Sequence, residues 1–247
     1  MKSREPGDDS PMRPSGQTQT SGGNGDDRFA VVGNERLTAL AGAVLLVLIV
    51  VELVTVPTLR ALLSVHVFVG VLLAGPLAVK IGSTGYRFLR YYTGSPAFVR
   101  KGSPRLALRV LAPLLLATTL VVIGSGIGLL VTGPTQAGPL RIVHVLSTLI
   151  WLPVIAIHVF AYIRRVPRSL ADDWSKHPAE QAPGRGLRLG VNLGALLGGA
   201  IAAILVLPVT APWIAWIKTS EIGPGPFIAG MIVATLALLA TRPLRWR

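Results

Sequence analysis

Long apolar runs, separated by short polar segments, divide this chain into pieces of membrane-crossing length. An apolar stretch of about 20 residues spans the hydrocarbon core of a bilayer as a helix. The pattern predicts six such helices. The first covers Leu37 to Val56, after a cap at Asn34, and stops at Pro57. The second runs from Leu59 to Ile81 and continues past Tyr86 along the interface. The third covers Leu106 to Val131, the fourth Leu140 to Ile163 and the fifth Leu189 to Ala211. The sixth, Pro226 to Ala240, is short for a span.

Polar segments set the rest of the organisation. Residues 1–35 are rich in Gly, Ser, Asp and Pro and read as a disordered tail, with the first helix as an uncleaved signal anchor. Residues 36–165 form a four-helix membrane domain, 166–188 a loop, 189–241 two further helices and 242–247 a basic tail. The chain therefore reads as an all-α integral membrane bundle in contact with lipid.

Charge orients it. The net charge is +13, but the cations cluster in the short segments between apolar runs, which argues for membrane topology rather than nucleic-acid binding. The segment after the second helix holds Arg87, Arg90, Arg100, Lys101 and Arg105. The one after the fourth holds Arg164, Arg165, Arg168, Lys176, Arg185 and Arg188, and the C-terminal tail holds Arg242, Arg245 and Arg247. The other three connections hold only Arg60, Arg141 and Lys218. The positive-inside rule then predicts both termini to be cytoplasmic in a cell (plasma or inner) membrane. Trp213 and Trp216 fall at the outer interface, and Tyr86, Tyr91 and Tyr92 at the inner one. There are no cysteines, which excludes disulfides, thiolate-bound clusters, cysteine-attached haem and thiol catalysis in this chain.

Three histidines lie inside the apolar segments, where ionisable side chains are costly and mark functional candidates. His66 and His144 each sit in a Val-His-Val triplet downstream of a Leu-Arg pair. His144 and His158 are 14 residues apart on one helix, so they share a face, about 21 Å apart along the axis. Lys80 and His158 are separated by the same 78 positions as His66 and His144, and so are Gly70 and Thr148. Helices two and four run in the same direction, which places His66 and His144 at matched depth. Small residues one turn inward, at Gly70 and Thr148, admit a flat ring close to the backbone. Two readings stay open for the histidine pair: ligation of haem iron, or hydrogen bonds to carbonyls in a fold that has lost its haem.

These residues, with the Gly124, Gly126, Gly128 cluster in helix three, resemble the membrane-bound b-type cytochromes, four-helix domains that hold haem between histidines of facing helices. The resemblance covers about Leu37 to Arg164. The stretch from Lys80 to Tyr92 is similar to bacterial members, some of which sit beside molybdopterin oxidoreductases. The resemblance implies electron transfer, haem b, a redox partner protein, quinone as a further partner, and His66 and His144 as the axial pair. Lys80 departs from the pattern, because a two-haem member carries histidine there to pair with His158. A lysine amine must lose its proton to bind iron, and the long side chain can instead snorkel to the interface or pair with a haem propionate. One haem is therefore expected.

Other candidates are weaker. Glu52 in helix one is read as the partner of Arg60 or Arg141 in preference to a proton route or quinone contact. Gly190, Gly194 and Gly198 form a ladder for close helix packing, inside the bundle or between protomers, and Asn192 is expected to bond a neighbour. Asp172, Asp173, Trp174 and His177 read as a solvated loop rather than a metal site. No nucleophile and base set is visible. Two rival functions remain, a haem-free membrane scaffold or assembly subunit and a small proton-coupled transporter.

Overall fold

The computed structural model describes residues 21–102, 106–174, 182–221 and 223–241. Among them every regular element is helical. The first helix, α1, spans Ser21–Thr55 and α2 spans Leu59–Leu72. Next come α3 at Ala74–Tyr92 and a short α4 at Pro96–Lys101. Helices α5 and α6 cover Leu106–Thr132 and Gly138–Tyr162, and α7 covers Arg165–Trp174. Helix α8, Arg185–Val206, passes through a 3-10 turn at Leu207–Thr210 into α9, Ala211–Thr219, and α10 spans Gly225–Thr241.

Five segments are long and apolar enough to cross a membrane: Phe29–Thr55, Leu59–Tyr92, Leu108–Thr132, Gly138–Tyr162 and Arg185–Thr219. Their outward faces expose large apolar side chains, among them Val54, Val110, Val131, Ile150 and Leu205. Water would penalise so much contiguous apolar surface, whereas lipid covers it. The chain is a multi-pass helical membrane protein. The predicted sixth helix forms as α10, but its 17 residues reach only about 25 Å, short of the bilayer core.

The first helix begins earlier than the apolar pattern predicts. Residues 21–35 are helical rather than part of a disordered tail, and Asn34 lies within the helix instead of capping it. The polar residues here find partners on neighbouring helices. Asn34 Nδ2 donates to the Ser83 carbonyl at 3.0 Å, and Thr38 Oγ1 contacts Ser83 Oγ at 2.8 Å. Glu35 pairs with Arg87 at 3.3 Å and with Lys101. The predicted tail residues 1–20, Arg105, Lys176, His177 and the basic tail 242–247 lie outside the described residues.

Packing divides the helices into two groups. In one, α1 lies along α3 and α2, and α8 packs across both α2 and α3. In the other, α6 lies between α5 and α10. Helix α7 returns from the second group onto α1. Between the groups α2 and α6 scarcely touch, and the space they leave is the main cavity.

The α2–α3 break is where α8 comes closest. Pro76 cannot donate a backbone hydrogen bond, so the Leu72 carbonyl loses its helical partner. Gly199 of α8 fills the approach: a Cβ there would lie 2.7 Å from the Leu72 oxygen, and one at Gly75 would lie 2.0 Å from the Ala195 oxygen. The ladder Gly190, Gly194, Gly198 is on another face, where no neighbour lies within 4 Å, so it does not make the packing inside the bundle. Asn192 bonds its own helix, Nδ2 donating to the Arg188 carbonyl at 2.9 Å.

Candidate functional site

The gap between the helix groups is a cavity of about 2600 Å³, lined by apolar side chains with a few polar groups. A typical small-molecule pocket is roughly 300–1,000 Å³, so the space admits a large, mainly apolar ligand. All five predicted site residues, His66, Gly70, Lys80, His144 and His158, line it. His66 is the eighth residue of α2 and His144 the seventh of α6, which puts both near the same end of the bundle.

Each imidazole is held by Nδ1. On α2, His66 Nδ1 is 3.0 Å from Glu52 Oε1 and 3.0 Å from Thr55 Oγ1. The Thr55 hydroxyl spends its proton on the Glu52 backbone carbonyl at 2.6 Å, so toward His66 it can only accept. With the proton on Nδ1, both of these oxygens act as acceptors. On α6, His144 Nδ1 is 3.1 Å from the Val122 carbonyl and 3.0 Å from Ser125 Oγ, which itself donates to Val122 at 3.0 Å. A carbonyl only accepts, so this Nδ1 is protonated too. In both rings the free lone pair is on Nε2, and among the described residues neither Nε2 makes a hydrogen bond. A neutral imidazole with Nδ1 hydrogen-bonded and Nε2 bare is the form that ligates metals.

Glycines bring these parts together. A Cβ at Gly126 would lie 3.4 Å from His144 Cε1, and one at Gly128 3.4 Å from a Leu140 methyl, so the α5 glycine cluster seats α6. Gly70 makes room for Glu52, whose Oε1 would lie 3.3 Å from a Cβ there. Thr148 bonds back to the His144 carbonyl at 2.7 Å.

Glu52 corrects the expectation of a salt bridge to Arg60 or Arg141. Arg60 instead donates to the Ser220 carbonyl, and the Arg141 guanidinium lies 4.4 Å from the centre of the Trp216 ring. These contacts tie the first turns of α2 and α6 to α9 and to Ser220, the residue that follows it. Trp213 and Ile217 of α9 are buried and line the same end of the cavity.

At the other end, Lys80 Nζ donates to the Thr38 carbonyl of α1 at 2.9 Å and packs against Gly42. His158 makes no hydrogen bond among the described residues and stacks with Tyr162 at 4.9 Å between ring centres. The two are near enough to interact electrostatically. Midway between the α6 histidines is Trp151, whose indole donates to Thr119 of α5 at 2.9 Å. The recurrence 144, 151, 158 puts all three on one stripe facing the cavity. That seven-residue spacing is legible in the sequence, and Trp151 is the lining residue it points to.

Among the described residues no three His, Asp or Glu side chains gather as a metal-binding group. A haem iron asks for only two axial imidazoles, since the porphyrin supplies the other four nitrogens. Two imidazoles and apolar walls suit that group, but the space at Gly70 is filled by Glu52, so the expectation that Gly70 admits a flat ring is corrected. Comparison with family models, with curated proteins and with solved structures finds no match to this chain.

Proposed function

We propose that this chain is an integral membrane electron-transfer subunit of the b-type cytochrome kind, holding one haem between His66 of α2 and His144 of α6. One observation carries the reading. Both rings are held through Nδ1, and among the described residues neither Nε2 makes a hydrogen bond, while both histidines line one cavity between helices that scarcely touch. Haem, when bound, supplies one-electron redox chemistry at a potential set by its ligands and surroundings. The chain supplies ligation, burial and orientation. Residues of α9 exclude water at the His66 end, and Trp151 with the α5 glycines forms the wall on the α6 side.

Lys80 supports a single haem. Its amine is engaged by the Thr38 carbonyl on α1, and His158 has no second imidazole opposite. The basic segments support six spans with both termini cytoplasmic, α10 completing the count. Electrons then pass to or from a redox partner protein, with a molybdopterin oxidoreductase or quinone as the chemical classes that the resemblance suggests.

The test is the visible absorption spectrum of protein purified from haem-replete cells, with the haem content measured by pyridine haemochrome. A low-spin b-type spectrum at about one haem per chain is expected. Colourless protein would refute the proposal.

A further inference from the structure

A carboxyl group in the outer part of a membrane helix is costly, and here its expected cations are engaged elsewhere. Glu52 Oε2 is buried with no hydrogen-bond partner, a second cost. What the residue gains is one contact, Oε1 to His66 Nδ1 at 3.0 Å, and Gly70 provides the room for it. On the opposite ring the same atom is served by the Val122 backbone carbonyl, with Ser125 beside it. A buried group that is otherwise unsatisfied calls for an explanation. The two rings together provide one, since each is met at Nδ1 by a fixed acceptor.

We infer that Glu52 is the positioning residue for His66: its carboxyl oxygen accepts from Nδ1–H and so fixes the ring with Nε2 turned to the cavity. The inference rests on the reading of His66 as a haem ligand, and it adds an asymmetry to it. One axial imidazole is set by backbone, the other by a single replaceable side chain. Thr55 assists, because its hydroxyl also accepts from Nδ1. Groups of this kind behind a metal-bound histidine set its tautomer, raise its basicity and are worth roughly 10–100-fold in metal affinity.

The experiment compares wild type, Glu52→Gln and Glu52→Leu in detergent. Nitrogen NMR of 15N-histidine-labelled protein, with His66 assigned through His66→Ala, reads the tautomer with or without haem. Haem titration and potentiometry follow. In wild type and Glu52→Gln, His66 should hold its proton on Nδ1 with similar haem affinity, because glutamine keeps an oxygen at the same reach. In Glu52→Leu the tautomers should mix, haem affinity should fall about 10–100-fold and the midpoint potential should become more positive, while the His144 signals stay unchanged. Helical circular dichroism guards against a misfolded variant. An unchanged tautomer and affinity in Glu52→Leu would overturn the positioning role, as would a Gln variant as impaired as Leu. A haem-free wild type with His66 still protonated on Nδ1 would instead count against the haem reading alone.

Discussion

On the proposed reading, Lys80 is the position at which this chain departs from a two-haem pattern, with His158 at the same end of the cavity. An imidazole and an amine line the inner cavity, but the amine already donates to α1 at 2.9 Å. Removing His158 should therefore leave the spectrum largely intact. Lys80→His should raise the haem-to-protein ratio above the wild-type value, because the spacing from His66 already matches that from His144 to His158. Haem analysis of both variants checks this. A two-haem wild type that loses one haem in both Lys80→Ala and His158→Ala would contradict it. The sequence revealed the histidines and the lysine through their shared offset. It hid what holds them. Glu52 and His66 belong to helices joined by the turn at Pro57, and their meeting depends on how α1 and α2 splay, which periodicity does not encode. Ser125 and Val122 were equally silent, since a backbone carbonyl carries no residue signature. Arg60 and Arg141 made Glu52 look like half of a salt bridge, but Ser220 and Trp216 hold them instead.

Helices were legible to within a few residues wherever apolar runs met Pro or Gly, as at Pro57, Gly133 and Gly138. The misreadings arose where a polar stretch is helical through partners elsewhere. Residues 21–35 look unable to bury apolar surface, yet Asn34 and Glu35 are tied to α3 and α4. The glycine ladder on α8 does not make the contact inside the bundle, which leaves packing between protomers as its reading. Small residues at four-residue spacing permit contact, but the contact formed at Gly199, opposite the proline break in the second span. A decisive contrast follows. Gly75→Val and Gly199→Val place side-chain carbon against backbone and should destabilise the protein by about 1–3 kcal/mol or more. Gly198→Ala meets open space and should keep wild-type thermal stability in detergent. Equal loss in all three would place the helix contact wrongly.

At the scale of the molecule, one end of the bundle gathers Glu35, Arg87 and Lys101. The other gathers Arg60, Arg141 and the α9 tryptophans. In the proposed topology the first end is the cytoplasmic one. The chain has no cysteine, so single engineered thiols report cleanly. Both Thr93 and Thr135 are exposed, in the turns after α3 and after α5. In intact cells a thiol at Thr135 should react with an impermeant reagent and one at Thr93 should not. The reverse pattern would invert the topology.

The central claim is that one iron sits between His66 and His144. It is tested most directly by electron paramagnetic resonance of the oxidised protein, with nitrogen hyperfine couplings measured on 15N-histidine-labelled samples. The account predicts a low-spin ferric signal coupled to two histidine nitrogens. His66→Ala and His144→Ala should each abolish that bis-imidazole signal, while His158→Ala preserves it. No low-spin signal in haem-replete protein, or couplings that survive both substitutions, would contradict it.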